Sequence, residues 1–365
     1  MLRARRLPLL AYSTSSLILL LSGCATQPTG EGSASSKSLS FSVSAREYGY
    51  VRPAVDVRVI GQQQGTSDQR HYVAGSGDDL WDRVRHGDRL GVTPHARIDH
   101  ALRALKRHPN YLTDLTRRAH PYLHLIVEEL ERHGLPAELA LLPEIESRYN
   151  PHAISPKRAT GMWQFMPYTG VEMGLKQNSW YDGRNDILAS TRAAIAYLKY
   201  LHRELDGDWA LALAGYNAGP GRVRAAQRAN RAAGKPTDFW SLNLPTETER
   251  YVPKLLALAQ LVREHDTYGL EMPVVANRPR LDIVEARQQI DLAQAAQACG
   301  ITVAQLQQLN PGLKRGKTLP GGPHRVLVPA GTGDKLRSAL AKAGNPVEPS
   351  LAATKPSSRT AGGDS

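Results

Sequence analysis

The segment LLPEIES at residues 141–147 places an acidic side chain on the apolar face of a predicted helix. At about 100° per residue, Leu139, Leu142 and Glu146 lie on one side of that helix. Glu144 lies about 200° from Glu146 and is expected to face solvent. The segment therefore predicts a short helix with one carboxyl group directed towards the protein interior.

That carboxyl group has the character of a general acid. Burial disfavours the charged form of a carboxyl group, so its pKa rises. A general acid must hold its proton near neutral pH. Glu146 is therefore a candidate general acid. Taken alone, the residue is also compatible with a surface carboxylate or with a helix-capping group paired with an arginine.

Apolar residues at helical spacing continue on both sides of this segment. Their periodicity predicts an all-α domain over residues 78–265. One amphipathic helix in it is outlined by Leu123, Ile126, Val127 and Leu130. Residues 281–330 are predicted to form a small strand-helix-helix-strand module. Residues 331–365 are rich in Ala, Lys, Gly and Ser and predict a disordered tail, with at most a turn of helix near Leu336.

The composition excludes several classes of protein. The chain has 365 residues, of which 41% are hydrophobic and 22% charged, so it is neither wholly disordered nor a multi-span membrane protein. A formal net charge of +12 indicates an anionic partner. Two cysteines exclude a disulfide scaffold and a cysteine-rich zinc site. The histidines show no metal-ligand spacing, and we predict no metal and no cofactor.

The N-terminal residues resemble a bacterial lipoprotein signal. Residues 1–23 combine three arginines with a leucine-rich stretch too short to span a bilayer comfortably. The resemblance implies lipidation of Cys24 and, because Ala25 follows it, anchoring to the periplasmic face of the outer membrane. A plain signal peptide with a chance cysteine is the alternative. Residues 24–77 are predicted to form a flexible tether and an irregular region. An exported location argues against nucleic acid as the anionic partner.

Four motifs, in order, resemble those of the soluble lytic transglycosylase domain. They are Glu146-Ser147, GMWQFMP at residues 161–167, YNAGPG at residues 216–221 and ETERYV at residues 247–252. The flanking stretches DLWDR at residues 79–83 and DFW at residues 238–240 are similar to the membrane-bound lytic murein transglycosylase D group. Each motif alone is weak to moderate evidence, whereas four in matching order are specific. The resemblance covers roughly residues 78–330.

The resemblance implies a mainly α fold, with a lysozyme-like helical catalytic domain and a small α+β LysM-like C-terminal module. It also implies cleavage of peptidoglycan between N-acetylmuramic acid and N-acetylglucosamine, with formation of 1,6-anhydro-N-acetylmuramic acid. Glu146 matches the single catalytic acid/base of the family. The family's substrate-binding positions correspond to Ser147, Gln164, Met166, Tyr216, Asn217 and Tyr251. Trp163 and Phe165 are also compatible with plain core packing.

Two other functions stay open. No acidic residue lies between Ser147 and Val171, and the nearest later ones are Glu172, Asp182 and Asp186. Because any of these acids could supply a second carboxylate in space, a lysozyme-type muramidase that hydrolyses the same bond is one alternative. A non-catalytic peptidoglycan-binding lipoprotein is the other. In each case we expect a monomer whose partners are glycan strands and, through the lipid anchor, the outer membrane.

The C-terminal module resembles a degenerate LysM domain, which in its family binds N-acetylglucosamine chains. The similar segments are IDLA at residues 290–293, residues 303–311 and VLVP at residues 326–329. The usual Gly-Asp-Thr-Leu opening is replaced by RQQI at residues 287–290. Both sugar binding and a structural role, packed on the catalytic domain, therefore remain open for this module.

Overall fold

The computed structural model of the chain describes residues 78–86, 89–91 and 93–345. Helices dominate this part of the chain, as predicted. They are α1 Leu80–Arg85, α2 Ala96–Lys106, α3 Tyr111–Ala119, α4 Leu123–Arg132, α5 Leu142–Ser147, α6 Pro167–Glu172, α7 Ile187–Glu204, α8 Trp209–Ala218, α9 Pro220–Ala232 and α10 Thr246–Arg263. Short 3-10 helices span Ala137–Leu141 and Phe239–Ser241. The predicted signal peptide, Cys24 and the predicted tether lie outside the described residues.

A single apolar core joins nine of these ten helices, all except α6. Its largest members include Trp81, Trp163 and Phe239, all fully buried. The predicted amphipathic helix is confirmed as α4, because its four periodic apolar side chains are all buried. Burial of each such leucine or isoleucine stabilises the fold by about 1.5–3 kcal/mol. Within the described residues, no helix is both long and apolar enough to span a membrane.

The LLPEIES segment lies at the end of a helical stretch that begins as a 3-10 helix and continues as an α-helix. The 3-10 helix Ala137–Leu141 leads directly into α5, and Pro143 lies in the first turn, where its missing N–H has no helical partner to lose. The helix ends abruptly because Arg148 and Tyr149 both take left-handed backbone conformations, with φ of 55° and 57°. Tyr149 fixes this turn by donating its hydroxyl hydrogen to the carbonyl oxygen of Ala140 at 2.6 Å.

The prediction that Glu144 faces solvent is wrong. Its side chain is only 5% exposed, because α3 covers this side of α5. Arg118 of α3 donates two hydrogen bonds to the carboxylate, at 2.6 Å and 3.1 Å, and Tyr111 donates a third at 3.3 Å. Helix α5 is thus covered on both sides. Arg118, rather than water, balances the charge of the Glu144 carboxylate.

The GMWQFMP segment forms a tight loop pinned against α7. Trp163 is fully buried and donates its indole N–H to Thr191 Oγ1 at 3.0 Å. Gly161 has φ of 84°, and a Cβ atom there would lie 1.9 Å from the carbonyl oxygen of Arg184, so only glycine fits. Phe165 is also buried. The core-packing interpretation therefore holds for Trp163 and Phe165.

The C-terminal module contains a two-stranded antiparallel sheet and three helices. Strand β1 Leu281–Glu285 pairs with β2 Arg325–Pro329, and Leu281 lies opposite Pro329. Between the strands lie α11 Leu292–Cys299 and α12 Val303–Leu309, in the predicted order. The prediction of a disordered tail from residue 331 is wrong for α13 Gly333–Lys342. This helix forms because Leu336 and Leu340 complete the apolar core of the module. Residues 346–365 lie outside the described part.

The module is docked on the helical domain through a buried ion pair. Arg325 of β2 donates to both carboxylate oxygens of Asp186 at 2.8 Å. Asp186 also caps the N-terminus of α7, and it accepts a hydrogen bond from Tyr181 at 2.8 Å. Leu327 of β2 belongs to the main apolar core. The two parts therefore share polar and apolar contacts.

Breaking the docking ion pair should destabilise the protein strongly. In Arg325→Ala, the Asp186 carboxylate would stay largely buried without its cation, and we expect a loss of about 3–5 kcal/mol in the free energy of unfolding. Denaturant unfolding followed by circular dichroism measures this loss. The matched control is Arg117→Ala, which removes an exposed ion pair with Asp114 and should cost about 0–1 kcal/mol. Equal losses for the two variants would contradict this account.

Candidate active site

Glu146 lies in the last turn of α5, against α10. Its carboxylate accepts a hydrogen bond from the hydroxyl of Tyr251, a buried residue of α10. Burial raises the pKa of Glu146 to about 7. The Tyr251 hydrogen bond opposes this rise, the negative charge of Glu247 adds to it, and the positive charge of Lys254 lowers the pKa. Desolvation therefore outweighs every other influence on this carboxyl group.

A carboxyl group with this pKa can both donate and accept a proton at neutral pH. Both the protonated and the ionised form are therefore accessible near neutral pH. Burial and the charge of Glu146 also raise the pKa of Tyr251 and of Tyr216 well above the ordinary tyrosine value. Both phenols thus stay protonated, and Tyr251 keeps its donor hydrogen on the carboxylate.

Three of the predicted substrate-binding residues direct their donors to the backbone of the 161–166 loop. Ser147 donates to the carbonyl oxygen of Met162 at 2.8 Å, and Tyr216 of α8 donates to that of Trp163 at 2.9 Å. Gln164 donates to the carbonyl oxygen of Gly161 at 2.8 Å. In this structure these side chains hold the loop against α5 and α8, and only their acceptor atoms remain for a ligand.

Asn217 is oriented by a chain of polar residues from α10. Thr248 donates its hydroxyl hydrogen to Asn217 Oδ1 at 2.7 Å, and the Asn217 amide donates to Glu247 at 3.5 Å. The sequence interpretation did not single out Thr248 or Glu247, although both belong to the ETERYV motif. A usable signal was their spacing, since Glu247, Thr248 and Tyr251 fall at i, i+1 and i+4 and share one face of α10.

Met166 lies apart from this hydrogen-bonded group. It precedes α6 and is 41% exposed, so its thioether offers an apolar surface to solvent or to a ligand. The structure therefore brings Glu146 and Tyr251 into direct contact and links Ser147, Gln164 and Tyr216 to them through one loop. In the described ranges, no group of three or more His, Cys, Asp or Glu side chains could hold a metal ion.

Two family models match the chain over the parts described above. Residues 125–239 match the Transglycosylase SLT domain, and residues 280–345 match the LysM-like domain of lytic transglycosylase MltD. The first match contains Glu146 and the 161–166 loop, and the second contains both strands and all three helices of the C-terminal module.

Individual proteins show the same similarity. Membrane-bound lytic murein transglycosylase D of Escherichia coli K12 is 41% identical over 263 residues, or 72% of this chain and 58% of that protein. Soluble lytic murein transglycosylase of Salmonella typhimurium is 34% identical over 118 residues, or 31% of this chain and 18% of that protein. A solved structure of an inactive mutant of lytic transglycosylase Slt from Pseudomonas aeruginosa is 25% identical, with a TM-score of 0.30, and covers 41% of this chain and 25% of that one.

The chain spans less than two thirds of the length of the Escherichia coli relative. Within that span both domains are present in the order the motifs predict, so the family resemblance is confirmed. The chain therefore contains a Transglycosylase SLT domain, followed by a LysM-like domain of the lytic transglycosylase MltD type.

Proposed function

We propose that this protein is a peptidoglycan lytic transglycosylase that uses Glu146 as its single acid/base. The bond cleaved is the β-1,4 bond between N-acetylmuramic acid and N-acetylglucosamine, and the product carries 1,6-anhydro-N-acetylmuramic acid. The observation that carries this proposal is the desolvated carboxyl group of Glu146, which lies in an SLT domain, accepts a hydrogen bond from Tyr251 and has a pKa of about 7. The names of the relatives, which are lytic murein transglycosylases, support it.

In the first step, protonated Glu146 donates its proton to the glycosidic oxygen. The bond from that oxygen to C1 of the muramic acid breaks, and its electron pair stays on the departing oxygen. The N-acetyl carbonyl of the muramic acid stabilises the electron-poor C1. Tyr251 keeps its hydrogen bond to the carboxylate that remains and so stabilises the charge that Glu146 acquires.

In the second step, the 6-hydroxyl of the same sugar attacks C1 while the Glu146 carboxylate takes its proton. A 1,6-anhydro ring forms, the carboxyl group is neutral again, and no water is consumed. Asn217, Gln164 and Met166 are proposed to contact the sugars through amide and thioether groups. Ser147 and Tyr216 serve the site mainly by holding the loop that carries Gln164 and Met166.

One observation favours a hydrolytic alternative. Glu247 is an exposed carboxylate whose charge acts on Glu146, and a muramidase needs a second carboxylate of this kind. Of the acids nearest in sequence, two are engaged elsewhere: Asp186 pairs with Arg325 and Asp182 pairs with Arg184, both at 2.8 Å. Hydrolysis and transglycosylation release products that differ by one water, so the reaction itself separates them.

The proposed place of action is the periplasmic face of the outer membrane. Lipidation of Cys24 would tether the chain there, and the basic charge of the chain suits an anionic wall polymer. The name of the Escherichia coli relative, which is membrane-bound, supports membrane association. The glycan strands of peptidoglycan are the proposed substrate and partner.

Replacement of the catalytic carboxyl group should abolish cleavage and preserve the fold. In Glu146→Gln, the side chain keeps its shape but cannot transfer a proton, so we expect at least a 10²–10⁴-fold loss in the rate of release of soluble fragments from purified sacculi. The matched control is Glu271→Gln, an exposed carboxyl group outside the site, which should cleave at the original rate. Full activity of Glu146→Gln would refute the role. No activity in the unmodified protein would favour a purely binding lipoprotein.

The mass of the products identifies the reaction. The original protein should release disaccharide fragments that each lack one water relative to the reducing sugar, because the 6-hydroxyl replaces water as the nucleophile. Mass spectrometry of digested peptidoglycan measures this difference. Fragments with the full mass of the reducing sugar would assign the protein to the hydrolases, and loss of that hydrolysis in Glu247→Gln would identify the second carboxylate.

Two substitutions should move the pH profile in opposite directions. Glu146 acts in its protonated form, so kcat/KM should be high below its pKa and fall as the pH rises through about 7. Tyr251→Phe removes a hydrogen bond that lowers the pKa, and the fall should move to higher pH. Glu247→Gln removes a negative charge that raises the pKa, and the fall should move to lower pH.

The control for both shifts is again Glu271→Gln, whose profile should match that of the original protein. A shift of the Tyr251→Phe and Glu247→Gln profiles in the same direction would contradict the electrostatic account of Glu146.

A further inference from the structure

A pocket of about 350 Å³ lies where the SLT domain meets the LysM-like domain. Arg118, Tyr122, Arg148, Asn150 and His152 line it from the helical part of the chain, and Gln308 of α12 lines it from the LysM-like domain. Ligand sites are common at such domain junctions. The hydrogen-bonded group around Glu146 contributes no residue to this pocket, so the pocket is separate from the site described above.

The charged groups of the pocket are cationic. Arg148 is exposed and has no ion-pair partner among the residues that the structure describes. His152 adds an exposed imidazole. Arg118 is engaged by Glu144 through two of its nitrogens, and that carboxylate lies behind the arginine rather than in the lining. Because no Asp or Glu belongs to the lining, the pocket favours an anionic group.

The unpaired arginine occupies a backbone conformation that favours glycine. Arg148 has φ of 55°, and a non-glycine residue in the left-handed region stores strain that commonly marks a functional position. The adjoining Tyr149 is buried and anchored to the carbonyl oxygen of Ala140, so the turn that carries Arg148 is fixed. The guanidinium therefore extends from a rigid base two residues beyond Glu146.

The remaining lining fits a peptide better than a simple ion. Asn150 and Gln308 offer amide groups that can hydrogen-bond peptide N–H and C=O groups, and Tyr122 offers an aromatic surface for aliphatic side chains. A guanidinium binds a carboxylate through two parallel hydrogen bonds. Peptidoglycan carries short peptides with free carboxylates on its muramic acid residues, so the proposed substrate contains this combination of groups.

We propose that this pocket binds a free carboxylate of a peptidoglycan stem peptide, with Arg148 as its principal contact and Gln308 as a contact from the LysM-like domain. The inference rests on the proposed function for the identity of the polymer. In this proposal the LysM-like domain takes part in substrate recognition, because it forms one wall of the peptide site. It also makes cleavage sensitive to whether a strand carries free stem peptides.

The direct test is binding of a stem peptide to the full chain carrying Glu146→Gln, in which cleavage is not expected. The probe is the synthetic tetrapeptide L-Ala–γ-D-Glu–meso-diaminopimelate–D-Ala, and its fully amidated form is the matched ligand. Isothermal titration calorimetry should detect the free acid, with the amidated form binding at least about tenfold more weakly. Addition of Arg148→Gln should weaken binding of the free acid by about tenfold to a hundredfold.

Three variants control for position and folding. Arg228→Gln removes an equal charge from the exposed surface of α9 and should bind the peptide as before. Arg148→Lys keeps the charge and should restore part of the affinity, which loss of structure alone would not allow. Gln308→Ala tests the wall from the LysM-like domain and should weaken binding without changing thermal unfolding.

Unchanged affinity in Arg148→Gln would overturn the proposal. Inorganic phosphate binding as tightly as the peptide would overturn it as well, because the pocket would then be a general anion site. The binding test needs no turnover, so its failure is separate from failure of the proposed function. If the catalytically intact protein cleaves sacculi, Arg148→Gln should slow cleavage of peptide-bearing strands and leave peptide-free strands unaffected.

Discussion

Removal of one carboxyl group from water is the constraint around which this domain is arranged. Glu146 lies in the last turn of a short helix that packs against α10, where Tyr251 supplies a hydrogen bond but not enough stabilisation to offset desolvation. The pKa near 7 follows from that imbalance. The two carboxylates of this helix therefore differ, because Glu144 forms an ion pair with Arg118. Glu146 instead accepts a hydrogen bond from neutral Tyr251, and the opposing charges of Glu247 and Lys254 act on it only at a distance.

The loop at residues 161–166 links the fold to the site. Trp163 anchors it to α7, while Ser147 and Tyr216 hold its carbonyl oxygens from α5 and α8. Side chains that a motif comparison assigns to substrate therefore also hold this loop in position. A substitution at Ser147 or Tyr216 will combine loss of loop position with any loss of ligand contact, and the two effects are separated by comparing KM with kcat.

The LysM-like domain is part of the same packed structure. Its strand β2 contributes Arg325 to a buried ion pair and Leu327 to the main core, and α13 closes its own apolar cluster. Asp186, the partner of Arg325, also caps the helix that anchors Trp163. The docked position brings Gln308 into the lining of the pocket that also contains Arg148, so residues of both domains line one pocket.

The sequence by itself determined the helical class, the strand-helix-helix-strand order of the module and Glu146 as the candidate acid, because helical periodicity and ordered motifs are local properties. Only the tertiary structure decided that Glu144 is buried, that Thr248 donates to Asn217 and that residues 333–342 are helical. Each of these depends on a partner distant in sequence: Arg118 for Glu144, Asn217 for Thr248, and the module core for α13. Burial and charge pairing are set by such long-range contacts, which no local pattern encodes.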